Sequence, residues 1–435
     1  MVEKAAPAMY SSRHRMPAHG PSSPWSARCI AVFMLSTLVF TVAAVRSQAS
    51  ELRVMPAITV GEEYNDNVFL HPTDTVSDSI TRIIPSVQIV YSAPLWDWDV
   101  SYAYEYRYYY RGTIKDDNQQ RLNLMSTTRI IKDFFFFDVK DLYNTVSLST
   151  SKDYTVLSPS LGQTMENILT LNPYLMFRPT ARTQLTTGYA YRNVWYKDPL
   201  AVDKYVNGGN FDLMQEVSAR LKMTATVRYE VTNSRLMDFT QTTFLIGPRY
   251  EYQDGSVAWC KIGTSKFSRV ADEPTLPIWD AALIQRFPTI TISYETGRTW
   301  LDDPIVVIRR EDRYIVSLRR DVERTSLGGS LAYREYGSNG YSDERRYTTS
   351  ASFSHFLSPK VQGLYSLAID RYERLPVRSI NNWSIVYLTE VRFVYHANES
   401  LTYSIDYKYA DGYSPDIYLE NYSNNRISVE VTKRF

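Results

Sequence analysis

Apolar and polar residues alternate one by one over residues 96–111, which read WDWDVSYAYEYRYYYR. The even positions of this segment hold Trp96, Trp98, Val100, Tyr102, Tyr104, Tyr106, Tyr108 and Tyr110. The odd positions hold mainly acidic, basic and small residues. A period of two predicts a β-strand, because successive side chains of a strand point to opposite faces. At sixteen residues the segment is about three times as long as a common strand of a soluble sheet.

The same alternation recurs along the chain, and no helical spacing is sustained after residue 50. Clear examples are residues 226–231, 289–295, 326–334 and 401–409. Strands of about 10–16 residues with one apolar, aromatic face are long enough to cross a bilayer at a tilt. Backbone polar groups in lipid all need partners, which a closed sheet provides. The pattern therefore predicts an all-β fold, a closed antiparallel transmembrane β-barrel of about 20 strands (18–22).

The connections between these segments alternate in length, which also favours a barrel. Short turns are expected around 132–133, 178–180, 253–255, 287–288, 358–360 and 397–399. Longer polar loops are expected at 67–79, 112–118, 152–163, 197–207, 268–276, 336–344 and 411–417. Outer-membrane barrels have short turns on the periplasmic side and longer loops outside, with an even number of strands. The first strand, near 54–66, and the charged segment 306–320 show the pattern least clearly.

The first 49 residues have the composition of a secretory signal peptide. Residues 30–45 (IAVFMLSTLVFTVAAV) form an uncharged, largely apolar run that follows three arginines and precedes a small-x-small site ending at Ala49. The run is shorter than the roughly 20 residues that a transmembrane helix requires. The expected organisation is a signal peptide at 1–49 and one barrel domain at 50–435, exported to the cell outer membrane of a Gram-negative bacterium.

Composition narrows the choice of function. The chain holds 35 Tyr, 17 Phe and 8 Trp, and Tyr and Trp favour membrane interfaces. Without residues 1–49 the chain would have a net charge near −3, which gives a nucleic-acid partner no electrostatic support. The only cysteine outside the signal would be Cys260, so the sequence predicts neither an internal disulfide nor a multi-cysteine metal site.

The last strand of the sequence has a row of apolar residues that ends at the C-terminal Phe435. Ile427, Val429, Val431 and Phe435 share one face, and polar residues occupy the other. A terminal Phe in phase with an amphipathic strand resembles the signal that outer-membrane barrels present to their assembly machinery. Lys433 departs from that pattern, and we expect its side chain to extend to the interface.

Residues 55–70 (MPAITVGEEYNDNVFL) resemble the opening strand of putative outer-membrane β-barrel porins, in particular those associated with exopolysaccharide and exosortase loci. The resemblance rests on Glu63, Tyr64, Asn65, Asp66 and Asn67, and the general layout agrees over residues 50–435. It implies an outer-membrane barrel without an established substrate, and it supplies no catalytic residues.

Catalytic motifs are scarce in the sequence. The three histidines beyond residue 49 are far apart, and no HExxH, GxSxG, P-loop or GxGxxG motif occurs, so no cofactor and no enzyme activity are expected. Ser354-His355 could belong to a membrane-embedded hydrolase, but adjacency alone does not supply the geometry of a triad. A histidine near the end of a strand is the simpler interpretation.

Charged residues on the polar face of the strands are the candidate functional residues, because they would line the lumen and set its selectivity. They are Glu105, Arg107, Arg111, Arg228, Glu230, Glu295, Arg309, Glu311, Arg313, Asp406 and Lys408. Both signs are nearly balanced, so no ion preference follows. A barrel of about 20 strands leaves room for water unless loops such as 152–163 or 268–276 fold inward. Tyr109, on the inner phase, is the exception among tyrosines otherwise expected to face lipid.

These features predict a porin-like channel for small polar solutes or a pore for export of a polysaccharide-related product. The alternatives are a non-conducting scaffold barrel that docks a partner and, less favoured, the hydrolase. The expected partners are outer-membrane lipid, the barrel assembly machinery, and a polysaccharide or export-system components.

Overall fold

A computed structural model describes residues 50–149, 152–157, 161–268, 275–338, 341–375, 382–415 and 420–435. The signal peptide expected at 1–49 lies outside the described residues. Among the described residues no helix is long and apolar enough to cross a membrane.

Twenty β-strands and one short helix make up the described chain. The first strands are β1 (Glu51–Asn65), β2 (Asp78–Ser92), β3 (Trp96–Tyr109), β4 (Asp117–Ile131), β5 (Phe135–Ser147), β6 (Gln163–Thr180), β7 (Thr183–Tyr196), β8 (Lys204–Glu216), β9 (Leu221–Ser234) and β10 (Phe239–Gln253). The others are β11 (Ser256–Ser268), β12 (Thr275–Arg286), β13 (Ile290–Asp303), β14 (Val307–Val322), β15 (Thr325–Ser338), β16 (Tyr341–Ser358), β17 (Val361–Arg374), β18 (Trp383–Asn398), β19 (Leu401–Tyr413) and β20 (Tyr422–Arg434). Helix α1 (Tyr154–Leu157) lies between β5 and β6.

Each strand pairs antiparallel with the next, and β1 also pairs with β20, from Ala57 opposite Arg434 to Asn65 opposite Arg426. The sheet is therefore a closed barrel without an edge, which confirms the predicted fold and a strand number of twenty. The two strands with the weakest pattern form as well. The segment predicted near 54–66 is β1, which begins at Glu51. The charged segment 306–320 lies largely in β14, which pairs with both neighbouring strands.

The strands are 12–18 residues long. Twelve residues at about 3.3 Å each, tilted by about 40°, span roughly 30 Å, the thickness of the hydrocarbon core. Large apolar side chains on one phase of the strands are exposed, for example Tyr106, Tyr229, Tyr294, Val316 and Ile405. The opposite phase carries the charged and small residues, so it faces the lumen.

The connections agree with most of the predicted turns and loops. Turns at one end of the barrel are short, such as 254–255, where Gly255 has a φ of +73° that favours glycine. Several boundaries were wrong, because strand pairing continues further than the polar sequence suggests; β8, for example, begins at Lys204 inside the expected loop 197–207. Strand β6 extends through the expected turn 178–180, and β15 and β16 reach Ser338 and Tyr341 inside the expected loop 336–344.

Polar side chains of the opening-strand motif and of β20 join the two strands at the seam. Asn424 donates from Nδ2 to Oδ1 of Asn65 at 2.6 Å and to the carbonyl oxygen of Asn67 at 2.8 Å. Asn425 donates from its backbone nitrogen and from Nδ2 to the two carboxylate oxygens of Asp66, both at 2.7 Å. Asn65, Asn67 and Asn424 are at most 1% exposed. We call these five residues the seam clasp, because they join the ends of the barrel sheet.

Candidate functional site

Alternating charges cover the inner wall formed by β1–β4 and β18–β20. Glu105 on β3 is 1% exposed and accepts hydrogen bonds from three guanidinium groups. The distances to Glu105 are 2.9 Å from Arg82 Nε, 2.8 Å from Arg107 Nε and 2.5 Å from Arg121 Nη2. A buried carboxylate is tolerable only with partners of this kind, since an unpaired buried charge costs several kcal/mol.

The network continues from Arg82 onto the strands beyond the seam. Arg82 Nη1 lies 3.2 Å from Glu430, and Glu430 also lies 3.7 Å from Arg392 Nη2. Further along the wall, Lys408 Nζ lies 3.3 Å from Asp406 Oδ2 and 3.6 Å from Glu390. Strand closure therefore brings residues from both ends of the sequence onto one charged surface.

The wall formed by β12–β16 has its own ion pairs. Arg313 lies 3.4 Å from Asp280 and 3.9 Å from Glu311, which in turn lies 3.5 Å from Arg334. Nearer the loops, Arg309 donates to Asp343 at 2.5 Å, so it joins β14 to β16. The three candidates of β14 thus take part in salt bridges across neighbouring strands.

The remaining strand candidates lie on the inner phase of two other strands. Arg228 and Glu230 alternate with the outward Val227 and Tyr229 on β9, and Glu295 alternates with Tyr294 on β13. Arg228 is exposed although it points inward, so the lumen beside β9 is wide enough for solvent.

Arg111 lies outside the strands. Strand β3 ends at Tyr109, and Arg111 occupies the β3–β4 loop, where its backbone nitrogen donates to Asp78 Oδ1 at 2.9 Å. Its side chain donates to Ser77 Oγ at 2.6 Å. Alternation could not locate this strand end, because the aromatic run continues to residue 110. Tyr109 is 2% exposed on the inner phase.

The described residues of the connection between β5 and β6, 148–149, 152–157 and 161–162, fold into the barrel, and we call them the lumen loop. Leu157 of α1 is 2% exposed and packs with Leu70, Tyr372, Val386, Ala410 and Tyr422. Tyr372, Val386, Ala410 and Tyr422 lie on β17–β20. Strands β1–β4 and the seam separate these strands from β5. The lumen loop therefore crosses the interior, as the sequence allowed for residues 152–163. The other loop named there, 268–276, lies largely outside the described residues.

A lysine of the lumen loop is buried against the same wall. Lys152 is buried, with its Nζ 3.9 Å from Glu420 and 5.8 Å from the centre of the Tyr372 ring. Burial lowers the pKa of the Lys152 ammonium, and the Glu420 carboxylate opposes that effect. A charged Lys152 thus makes docking of the loop less favourable than a neutral one, since burial disfavours the ammonium.

The β7–β8 loop also folds inward, at the barrel end that carries the lumen loop. Val202 of the β7–β8 loop donates its backbone nitrogen to the carbonyl of Pro304 at 2.7 Å. Its side chain packs with Phe239, Phe267 and Val307. Strands β9–β12 separate these two connections, so this contact also spans part of the lumen.

Ser354 and His355 do not form a catalytic pair. They are consecutive residues of β16, so their side chains lie on opposite faces of the sheet. Ser354 Oγ accepts from Gln362 at 2.9 Å, whereas His355 Nδ1 lies 2.8 Å from Thr325 Oγ1. No group of three or more His, Cys, Asp or Glu in the described chain could hold a metal ion.

The last strand presents its apolar residues outward. Ile427, Val429 and Phe435 are exposed, by 75% in the case of Phe435, and Val431 shares their phase. Lys433 reaches from this row to the adjacent turn, where its Nζ donates to Ser400 Oγ at 2.8 Å.

Alternation did not predict several residues of the charged wall as lumen-lining, namely Glu63, Arg82, Arg121, Arg392 and Arg426. The sequence pattern could have identified Arg392, because Glu390 and Arg392 alternate with the outward Val391 and Phe393. The pattern could not identify Arg82, since its inward neighbours Ile80 and Ile84 make both faces of β2 apolar.

Comparisons with known proteins add little beyond the fold. No protein-family model matches the chain, and no curated protein matches it significantly. Solved outer-membrane proteins have a similar architecture. The siderophore receptor PirA from Pseudomonas aeruginosa has a TM-score of 0.48 and 9% identity, over 88% of this chain and 80% of that chain.

Two further solved structures give similar values. The FrpB iron transporter (F5-1 variant) from Neisseria meningitidis has a TM-score of 0.49 and 8% identity, covering 87% of this chain and 82% of its own. OpdK from Pseudomonas aeruginosa, crystallised with vanillate, has a TM-score of 0.42 and 9% identity, covering 88% and 98%. Such weak similarity carries no argument about function; the fold rests on the closed strand pairing.

Proposed function

We propose that this protein is an outer-membrane channel that passes small polar solutes through its lumen. The proposal rests on one observation, the contrast in polarity between the outer and inner faces of one closed sheet. Outward side chains form an exposed apolar and aromatic surface, while the inward side chains are charged and leave a cavity of about 390 Å³. A belt of this extent is far larger than the apolar patches of soluble monomers, and lipid is the partner that covers it.

The lumen loop is the element that would make the channel selective. It crosses the interior and places Thr155 at the cavity beside the charged wall. A loop that narrows a wide barrel forces solutes past fixed charges at short distance, where electrostatic discrimination is strongest.

The resemblance of the opening strand supports one more specific form of the proposal. In that form the solute is a polysaccharide-related product, and components of an export system are the partners. Three of the residues on which the resemblance rests, Asn65, Asp66 and Asn67, belong to the seam clasp, so the resemblance supports a barrel better than it supports any substrate. The C-terminal row ending at Phe435 supports the barrel assembly machinery as a further partner.

A non-conducting scaffold barrel is the second candidate. It is favoured by the two inward contacts at the loop end, the lumen loop on β17–β20 and the β7–β8 loop on the β13–β14 connection. Together these contacts could close the lumen.

Electrical recording separates the two candidates. The chain from residue 50 onward is refolded, reconstituted in planar bilayers and compared with heat-denatured protein. Stepwise current increases that only the folded protein produces are the expected result. Folded, inserted protein without current steps would overturn the channel and leave the scaffold.

A further inference from the structure

The cavity beneath the lumen loop has an uneven charge. Its basic lining residues are Arg82, Arg107, Arg121, Arg392, Lys408 and Arg426. Its acidic lining residues are Glu63, Asp406 and Glu430. Among the lining residues six cations face three carboxylates. Three further carboxylates that interact with these cations, Glu105, Glu390 and Asp117, do not line the cavity, so the positive surplus belongs to the cavity surface itself.

The carboxylates do not use all the donors that point into the cavity. Arg392 lies 3.7 Å from Glu430 and 4.0 Å from Asp406, which are long contacts, and its side chain is 37% exposed. Its buried Nε has no hydrogen-bond partner among the described residues. Arg121 contacts Glu105 through Nη2, yet its side chain is 55% exposed.

Lys408 is a third available cation. Its ammonium pairs with Asp406 and Glu390 at 3.3 Å and 3.6 Å, and its side chain remains 38% exposed. An ammonium has three donors and a guanidinium has five, so each of these cations can bind a further acceptor while keeping its present partner.

We propose that this cavity binds small organic anions with a carboxylate group, and that such anions are the solutes of the channel. Guanidinium groups match the planar carboxylate with paired hydrogen bonds. The cavity volume of about 390 Å³ is sufficient for a molecule of the size of a monosaccharide acid. Positive charges on a low-dielectric wall also raise the local concentration of anions. This inference rests on the proposed channel for transport, but binding can be measured without it.

Reversal potentials in a KCl gradient test selectivity. The folded protein is expected to prefer chloride, and the double variant Arg121→Gln/Arg392→Gln is expected to lose most of that preference. Arg324→Gln, in the exposed turn between β14 and β15, removes the same charge outside the lumen and serves as the control. A conducting wild-type protein that prefers potassium or shows no preference overturns the inference but leaves the channel.

Calorimetric titration of the detergent-solubilised protein tests binding directly. Glucuronate is expected to bind and glucose, of similar size without the carboxylate, is not. The double variant should bind glucuronate about tenfold more weakly or worse, since each charged hydrogen bond contributes at least a factor of this order. Equal binding of glucuronate by wild type and double variant, or no binding by wild type, overturns the inference even if no current is seen. Heat-modifiable migration on gels verifies that each variant is folded.

Discussion

At the scale of single residues, the clearest finding is that Asn65, Asp66 and Asn67 at the end of β1 reinforce the closing strand pair through their side chains. Both asparagines are fully buried, and their amides bind the first residues of β20. Asparagine suits this position because one side chain both donates and accepts. The same segment carried the resemblance to the opening strands of outer-membrane barrels, and in this structure its polar side chains contact the last strand.

The seam clasp predicts a stability effect for Asn67→Ala. Asn67 Nδ2 donates to the carbonyls of His71 and Ser423 at 2.8 Å and 2.9 Å, so the substitution leaves two partly buried acceptors without this donor. We expect a loss of about 1–3 kcal/mol in the free energy of unfolding, measured by urea denaturation of the reconstituted protein.

Asn118→Ala provides the matched control, because Asn118 is exposed on β4. It should change the unfolding midpoint little. Equal effects of the two substitutions would show that the seam clasp adds nothing specific to closure.

At the scale of elements, the lumen loop determines how open the barrel is. Its position depends on the apolar contacts of Leu157 and of the partly buried Leu161, and on the buried Lys152. No periodicity reveals such docking, because Leu157 packs on strands more than two hundred residues later in the chain. The sequence identified the loop as long and able to fold inward, but not which wall receives it.

Leu157→Asp should release the lumen loop from β17–β20. A carboxylate in that apolar cluster would lose its hydration without gaining a partner, so the undocked state becomes favoured. If the protein conducts, we expect a larger single-channel conductance, recorded in planar bilayers.

Leu236→Asp is the control for this substitution, since Leu236 is 58% exposed in the β9–β10 connection. Its conductance should match that of the wild type. An unchanged conductance of Leu157→Asp would mean that the lumen loop does not limit the current.

At the scale of the whole molecule, the barrel separates two surfaces of opposite character. The outer one is exposed and apolar over much of its height, and the inner one concentrates charge on the arc from β12 through the seam to β4. The outer surface predicts that the folded protein needs detergent or lipid. On removal of detergent we expect complete sedimentation upon centrifugation, because the apolar belt would self-associate.

Addition of lipid vesicles before the detergent is removed should keep the protein in the vesicle fraction. A monodisperse folded monomer in detergent-free buffer would contradict the assignment of the aromatic face to lipid.

The sequence by itself determined the fold class, the strand number to within two, most connections and the orientation of most charged residues. A period of two is a local property, and long alternating strands have one way to satisfy their backbone in lipid. Only the tertiary structure decided which charges meet, because closure places β1–β4 beside β18–β20. Arg82 and Glu430, separated by nearly the whole chain, become neighbours on one wall. The positive surplus of the cavity lining and the docking of the lumen loop arise from this closure, since both depend on distances that no local pattern encodes.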